Sequence, residues 1–217
     1  MQPKARRISA TVFAGAAVFG VALALTAMFA ALNSRAAHPP APVIGQVGDF
    51  ALTNENGAAV SLANLRGRVW VADIIFTRCP GQCLRMSKQL EGLQAALPSS
   101  SQSRLVSLTT DPDFDTPPVL TKYGKRFDAD TNRWMFLTGT KKEIANLAVS
   151  SLKLSAVEKK PEDRQSPDDL FVHSTVFVVV DKQARLRGVF QTGGDDVEWP
   201  VEKEKILACV QQLEREP

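Results

Sequence analysis

The chain has 217 residues, of which 44% are hydrophobic and 23% are charged, and its formal net charge is +3. Lys4, Arg6 and Arg7 account for the whole excess, because no acidic residue occurs before position 34. The basic charge is therefore a local feature of the N-terminus, and no stripe of basic residues interleaved with aromatic ones follows it. These observations exclude a nucleic-acid-binding protein.

The N-terminal region predicts a membrane anchor. Residues 1–7 carry the three basic side chains, and residues 8–32 contain no charge and are rich in Ala, Val, Phe and Leu. About 20 such residues span a bilayer, whereas a cleavable signal has a shorter apolar core of roughly 7–15 residues. Only Arg35 follows the segment closely, so the positive-inside rule places residues 1–7 in the cytoplasm and the rest on the periplasmic side. Cleavage near Ala36 and Ala37 is the alternative.

A spacer and a single domain are expected beyond the anchor. Residues 33–47 contain Pro39, Pro40 and Pro42, which favour an extended linker. His38 lies in this linker, where a solvated and inert histidine is expected. Residues 48–217 show no internal repeat, and we predict one domain.

Strands alternate with helices along this domain. Asn56-Gly57 predicts the turn of an N-terminal hairpin, and Thr116 is a suitable N-cap for a helix. The predicted elements are strands at 49–53, 59–62, 69–76, 104–109 and 133–138, and helices at 82–97, 117–127 and 141–152.

The C-terminal third completes the sheet. Residues 155–169 are dense in charge and proline and predict a mobile surface loop. His173 then leads a strand at 175–181, which pairs with a strand at 185–191, and a last helix begins near Pro200. This order predicts an α/β fold, with a central sheet covered by helices on both faces.

Two cysteines follow the most apolar strand. The run VWVADIIF ends just before Cys79, and the stripe of Cys83, Met86, Leu90 and Leu93 then has helical spacing. A thiol near a helix N-terminus is favoured as thiolate. A structural disulfide would close only a very small loop and contribute little stability. Redox exchange or a thiolate metal site is therefore favoured.

The other candidate ligands are few. Two thiolates select a soft ion such as Cu(I), and an imidazole lets the site hold Cu(II) as well. His173 is the one histidine of the domain, and no second cysteine pair exists to complete a zinc site. Cys209 is expected to be a buried structural thiol, and Met86 is expected to fill the core.

Three motifs in one order resemble the Sco/SenC family. They are FTRCPGQC at 76–83, DPDFDTP at 111–117 and HSTVFVVVD at 173–181. The resemblance implies a thioredoxin-like fold, a copper site made by Cys79, Cys83 and His173, and a role in assembling the dinuclear copper centre of cytochrome oxidase. It also implies that Asp111 and Asp115 lie near the site, as groups behind the ligands or in contact with a partner. The copper-receiving oxidase subunit, or another copper protein, is the implied partner.

This sequence departs from the family pattern at two places. Leu84 follows the second cysteine, where many members have proline, and Gly81-Gln82 lies between the cysteines, where many have an acidic or β-branched residue. Neither change removes a ligand, but both bear on copper affinity and partner choice.

Asp73 supports a rival hypothesis, a thiol-disulfide oxidoreductase or redox sensor without obligatory copper. It lies in the apolar strand, where burial would raise its pKa and make it a proton acceptor for the resolving thiol; an ion-paired carboxylate at the sheet edge is the alternative. Against a general oxidoreductase, Ser174 stands before Thr175, where thioredoxins have a cis-proline. A peroxiredoxin would have Pro and Thr in place of Ala72 and Phe76. An interaction module with an inert disulfide is a third possibility.

Overall fold

The computed structural model of the protein describes residues 19–28, 41–79, 81–166 and 170–217. It divides into a unit before residue 41 and a unit from Ala41 to Pro217. In the first unit residues 19–28 are helical, and the other residues of the predicted anchor lie outside the described ranges, as do residues 1–7 and His38. Among the described residues no helix is both long enough and apolar enough to cross a bilayer.

A mixed sheet forms the centre of the second unit. Over the described ranges it has eight strands: β1 (Gly45–Gln46), β2 (Ala51–Asn54), β3 (Ala59–Ser61), β4 (Trp70–Ile75), β5 (Arg104–Thr109), β6 (Trp134–Thr138), β9 (Val176–Val180) and β10 (Arg185–Gln191). Their order across the sheet is β1-β10-β9-β4-β5-β6-β2-β3, and β7 (Ala156–Glu158) and β8 (Phe171–His173) form a separate hairpin. β4, β5 and β6 run parallel, and the remaining pairs are antiparallel.

Helices cover both faces of this sheet, as the sequence predicts. They are α1 (Leu62–Leu65), α2 (Gln82–Ala96), α3 (Pro117–Lys125), α4 (Lys141–Ala145, continued by a π-helical turn at Asn146–Ser151) and α5 (Trp199–Arg215). The apolar faces of α2, α3 and α5 pack on one side, and those of α1 and α4 pack on the other. β4 lies between β5 and β9, and all six of its residues are buried.

Side chains of β4 alternate between the two layers. Val71 and Ile75 face the layer that contains α2, whereas Trp70, Ala72 and Ile74 face the layer that contains α1. Because side chains alternate along a strand, Asp73 points into the α2 layer. This direction brings its carboxyl group toward the helix that carries Cys83.

The predicted linker ends earlier than expected. Ile44 N–H donates to the Leu186 carbonyl at 2.8 Å, Val47 N–H donates to the Ala184 carbonyl at 2.8 Å, and β1 pairs with β10. The ordered domain therefore includes residues from 41 onward. Two paired residues are too few to give a strand pattern in the sequence.

The prediction of a surface loop over the whole of 155–169 is wrong in part, because the segment contains a strand and a 3₁₀ turn. Ala156–Glu158 forms β7, which pairs antiparallel with β8 (Phe171–His173), and a 3₁₀ turn follows β7 at Pro161–Asp163. His173 therefore ends β8 and does not lead the strand of the main sheet. Between the described parts of this hairpin, residues 167–169 lie outside the described ranges.

Candidate metal centre

Both cysteines lie where β4 passes into α2. Cys83 is in the first turn of the helix and is fully buried, and its sulfur accepts a hydrogen bond from the Phe76 N–H at 3.4 Å. Cys79 is half-buried in the preceding turn, and its sulfur accepts from the Cys83 N–H at 3.5 Å. Both are free thiols in this structure, so no structural disulfide joins them.

His173 reaches the same place from β8. Its Nε2 lies 3.1 Å from the Cys83 sulfur, and its Nδ1 lies 3.1 Å from the Ser174 carbonyl oxygen. A carbonyl only accepts, so Nδ1 carries the proton and, in the neutral ring, Nε2 keeps its lone pair. The Phe76 ring packs edge-on against the imidazole with centroids 5.9 Å apart. The ring is thereby oriented with Nε2 toward the sulfurs.

The two sulfurs and the imidazole nitrogen lie within 4.8 Å of one another. Two atoms bound to one ion at about 2.0–2.3 Å stand at most about 4.6 Å apart, so the three donor atoms are grouped on the scale of a single metal site. The donor set is two soft thiols and one imidazole, which suits copper better than a hard cation. The residues present therefore fit copper, the metal that the sequence resemblance implies.

The pKa values of the two thiols are shifted in opposite directions. The hydrogen bond from the Cys83 thiol, with a smaller contribution from His173, lowers the pKa of Cys79 to about 4 although burial opposes it. Burial, together with the Cys79 thiolate, raises the pKa of Cys83 well above its usual value. Burial alone lowers the pKa of His173, but Cys79, the Ser174 carbonyl and Asp73 outweigh it and the net pKa is raised. At neutral pH Cys79 is thus the thiolate and Cys83 the thiol.

Asp73 is fully buried behind this pair, as predicted. Burial raises its pKa to about 7, and the nearby Ser107 hydroxyl and the charge of His173 lower it to a lesser extent, although no hydrogen bond of normal geometry joins either of them to the carboxyl group. Neither carboxylate oxygen has a hydrogen-bond partner among the described residues. The alternative of an ion-paired carboxylate at the sheet edge is therefore wrong.

Asp111 and Asp115 contact the turn before Cys79 and not the three candidate ligands. Asp115 is fully buried and accepts hydrogen bonds from the Thr77 N–H at 3.1 Å, the Thr77 hydroxyl and the Thr109 hydroxyl. Asp111 accepts from the Arg78 guanidinium. The two carboxylates therefore fix the main chain that leads into Cys79.

Arg78 and Phe114 form a contact near the site that the sequence analysis does not predict. The Arg78 guanidinium lies 4.2 Å from the centroid of the Phe114 ring, and that ring is 43% exposed. Their contact joins the turn before Cys79 to the segment that follows β5. No local sequence pattern indicates it, because the two residues meet only when the carboxyl ends of β4 and β5 lie side by side.

Met86 and Cys209 are the two other sulfur-containing residues to which the sequence analysis gives a structural role. Met86 is fully buried in the core, as predicted. Cys209 is half-buried in α5, less than predicted, and burial raises its pKa to about 11. It packs against the core and is not one of the three grouped ligand atoms.

The fold and the site together define a thioredoxin-like α/β protein with a Cys-Cys-His centre at the N-terminus of its first long helix. The family model described as SCO1/SenC matches residues 40–206. The chain therefore belongs to the SCO1/SenC family, which confirms the resemblance seen in the three sequence motifs.

Individual relatives agree with this assignment. The SCO1 protein homolog of Bacillus subtilis is 34% identical over 162 residues, which cover 72% of this chain and 81% of the relative. The structure of BsSco, described as having a disulfide switch and as a member of the Sco family of cytochrome c oxidase assembly proteins, has a TM-score of 0.65 and 25% identity, covering 82% of this chain and 100% of that one. Bradyrhizobium japonicum ScoI, solved with copper bound, has a TM-score of 0.63 and 22% identity, covering 77% and 99%.

Proposed function

We propose that this protein binds copper through the Cys79 and Cys83 thiolates and the His173 imidazole. The observation that carries the proposal is the convergence of these three ligand atoms, two from the β4–α2 turn and one from β8. Soft thiolates favour Cu(I), and the imidazole extends the site to Cu(II). Relatives described as copper-bound support the choice of metal.

We further propose that copper is cargo for assembly of the dinuclear copper site of cytochrome c oxidase. The chain would act as a copper donor, as a thiol reductant of the target's cysteines, or as both. Membership of the SCO1/SenC family supports this role, as does the description of BsSco as a cytochrome c oxidase assembly protein. The partner is then the copper-receiving oxidase subunit or another copper protein.

Cys79, Cys83 and Asp73 have different roles in copper binding. Cys79 is already a thiolate at neutral pH and is half-exposed, so it is the ligand that meets an incoming ion first. Cys83 must lose a proton when the ion binds, because a metal-bound thiol is deprotonated. Asp73, with its pKa raised to about 7 by burial, is suited to accept that proton.

A tether at the N-terminus is part of the proposal. The uncharged stretch at 8–32 and the basic residues before it support a single-pass anchor in the cytoplasmic membrane, with the domain on the periplasmic side. Expression of the full chain, followed by extraction of membranes with alkaline carbonate, tests this. Release of the chain into the supernatant would contradict a membrane-spanning anchor.

The test of metal binding is an anaerobic Cu(I) titration of the reduced full chain against a competing chelator. His173→Ala removes one of three ligands and is expected to weaken binding by about 10–100-fold or more. Cys209→Ser is the matched control, because it removes a thiol outside the site and should leave the affinity unchanged. Equal affinity of wild type and His173→Ala would overturn the proposed ligand set.

A second candidate function is thiol-disulfide exchange, and the opposite acidities of the two thiols favour it. The Cys79 thiolate would attack a target disulfide, forming a mixed disulfide and releasing one target thiolate. Cys83, passing its proton to Asp73, would then attack the Cys79 sulfur and release the second target thiolate. The products are a Cys79–Cys83 disulfide and a reduced target, and His173→Ala should leave this exchange largely intact while it weakens copper binding.

A further inference from the structure

The β7–β8 hairpin forms a sheet of its own beside the metal centre. Over the described ranges this sheet has two strands, paired in the register Ala156 to His173, Val157 to Val172 and Glu158 to Phe171. β7 lies along one edge of β8. No strand in the described part of the chain pairs with the opposite edge.

Two hydrogen bonds fix which main-chain groups face that opposite edge. Lys159 N–H donates to the Leu170 carbonyl at 2.8 Å, and Ser174 N–H donates to the Ser155 carbonyl at 2.8 Å. In an antiparallel pair, hydrogen-bonded residue pairs alternate with non-bonded ones. The pair midway between these two, 157 with 172, is therefore a bonded pair.

It follows that Phe171 and His173 belong to the non-bonded pairs. Their N–H and C=O groups point away from β7, toward the outer edge of β8. Val172 has the opposite orientation, with its main-chain groups directed at β7. On the outer edge these two N–H and two C=O groups have no strand partner among the described residues.

The same geometry links this edge to the metal centre. A residue paired directly with His173 on a third strand would have its side chain on the same face as the imidazole. Its Cβ atom would lie about 4.5–5.5 Å from that of His173. Because the His173 Nε2 lies 3.1 Å from the Cys83 sulfur, such a side chain would be directed at the candidate metal site.

The edge also lacks the features that commonly block strand pairing. Natural free edges often carry Lys, Pro or a bulge, whereas β8 reads Phe-Val-His, and the charged residues of the hairpin lie in other segments. Val172 and its neighbour Val157 are 58% and 64% exposed, so the face of the hairpin opposite the imidazole is apolar and open. This surface suits the side chains of a third, β-forming strand.

We propose that an extended segment of the copper-accepting protein adds to the outer edge of β8, with a cysteine directly opposite His173. Strand addition would align the incoming sulfur with Cys79 and Cys83, so that a ligand exchange needs no large movement. The identity of the partner rests on the proposed function, but the strand addition itself does not require copper.

The test uses the reduced full chain with Cys83→Ser and Cys209→Ser, which leaves Cys79 as the one thiol. The probe is acetyl-Thr-Val-Thr-Cys-Thr-Val-Thr-amide, activated as its 2-pyridyl disulfide. The Cys79 thiolate attacks the peptide sulfur, forms the mixed disulfide and releases pyridine-2-thione. Hydrogen–deuterium exchange is then measured at single-amide resolution by fragmentation mass spectrometry.

In the conjugate, the exchange of the Phe171 and His173 amides is expected to slow by at least about tenfold. The exchange rate of the Val172 amide should not change, because β7 already protects it. The matched control is the same peptide N-methylated at its cysteine and both valines, which removes the N–H groups that would face β8. Equal protection by the N-methylated peptide, or no protection by either, would overturn the proposal. So would protection in the free chain through dimers paired edge to edge at β8, detected by sedimentation. Because the conjugate contains no copper, its result is independent of the copper titration above.

Discussion

The Cys83 sulfur and the His173 Nε2 lie 3.1 Å apart, although 90 positions separate them in the sequence. One comes from the first turn of α2 and the other from the end of β8. Because the His173 Nδ1 is directed at the Ser174 carbonyl, Nε2 faces the sulfurs with a lone pair available. The chemistry of the two thiols follows from this arrangement and can be measured directly.

The first prediction concerns the reactivity of Cys79. Its pKa of about 4 makes it a thiolate throughout the neutral range, so its alkylation rate with iodoacetamide should be nearly constant between pH 6 and 8. Cys209, with its pKa raised to about 11 by burial, serves as an internal control whose rate should rise about tenfold per pH unit. Peptide mass mapping of the copper-free, reduced chain measures both rates. A Cys79 rate that rises in parallel with that of Cys209 would contradict the prediction.

The same experiment on Cys83→Ala tests the cause. The Cys83 thiol is the main group that stabilises the Cys79 thiolate, so its removal should raise the pKa of Cys79 toward the ordinary cysteine value. The alkylation rate at pH 6 should then fall, and the pH profile should regain its slope. An unchanged profile would assign the low pKa to His173 and the backbone N–H groups of residues 81 and 83 instead.

The sequence predicted the cysteine turn well because its signals are local. An apolar strand, two cysteines and a helical stripe lie within one short stretch, and the structure places them as expected. His173 was placed near the cysteines only through the family resemblance. Its actual position in β8 depends on pairing with residues 156–158, and the charged composition of that segment favours a loop over a strand.

The contacts of Asp115 with the cysteine turn could not be predicted for a similar reason. They require the carboxyl ends of β4 and β5 to be adjacent, which is a property of the sheet and not of either segment. The resemblance put Asp115 near the site, and the structure adds that it binds Thr77 and Thr109. Its role is therefore to hold the turn in place.

The second prediction follows from these contacts. Asp115→Ala leaves the Thr77 and Thr109 donors without their acceptor and should lower the free energy of unfolding by about 2–3 kcal/mol. Asp113→Ala is the matched control, since Asp113 is 76% exposed and its ion pair within the described residues is with the exposed Lys141. Urea unfolding of the two variants should show a lower midpoint for Asp115→Ala alone. Equal midpoints would show that the buried carboxylate does not stabilise the turn.

The third prediction concerns the buried ion pairs beneath the C-terminus. Arg187 is 4% exposed and binds Asp181, Glu216 and the Ala41 carbonyl. Arg187→Ala should destabilise the protein by about 3–5 kcal/mol, because Asp181 is then left buried with less compensation. Arg185→Ala removes a more exposed partner of the same Asp181 and should have a smaller effect. Urea midpoints in the opposite order would contradict this assignment.

The fourth prediction is a pH dependence of stability caused by Asp73. Burial raises its pKa to about 7 in the folded state, whereas in the unfolded chain it is near 3.8. Between these values the folded state holds a proton that the unfolded state has lost, so rising pH favours unfolding. The contribution of Asp73 to the free energy of unfolding should therefore fall from about pH 4 to about pH 7 and stay constant above that.

Asp73→Asn removes the titrating carboxyl group, so a comparison with wild type measures its contribution to the pH dependence of the free energy of unfolding. One pKa unit corresponds to about 1.4 kcal/mol, so the difference in stability between variant and wild type should shift in favour of the variant by up to about 4 kcal/mol across this range. The measurement is urea unfolding of the reduced, copper-free chains at several pH values. Parallel pH profiles for the two proteins would mean that Asp73 is ionised at its ordinary pKa in the fold, and it would then be unsuited to take the proton of Cys83. A stability difference that instead grows between pH 4 and pH 7 would show that burial raises the pKa of Asp73 in the folded state. Such a raised pKa is what its proposed role as proton acceptor for Cys83 requires.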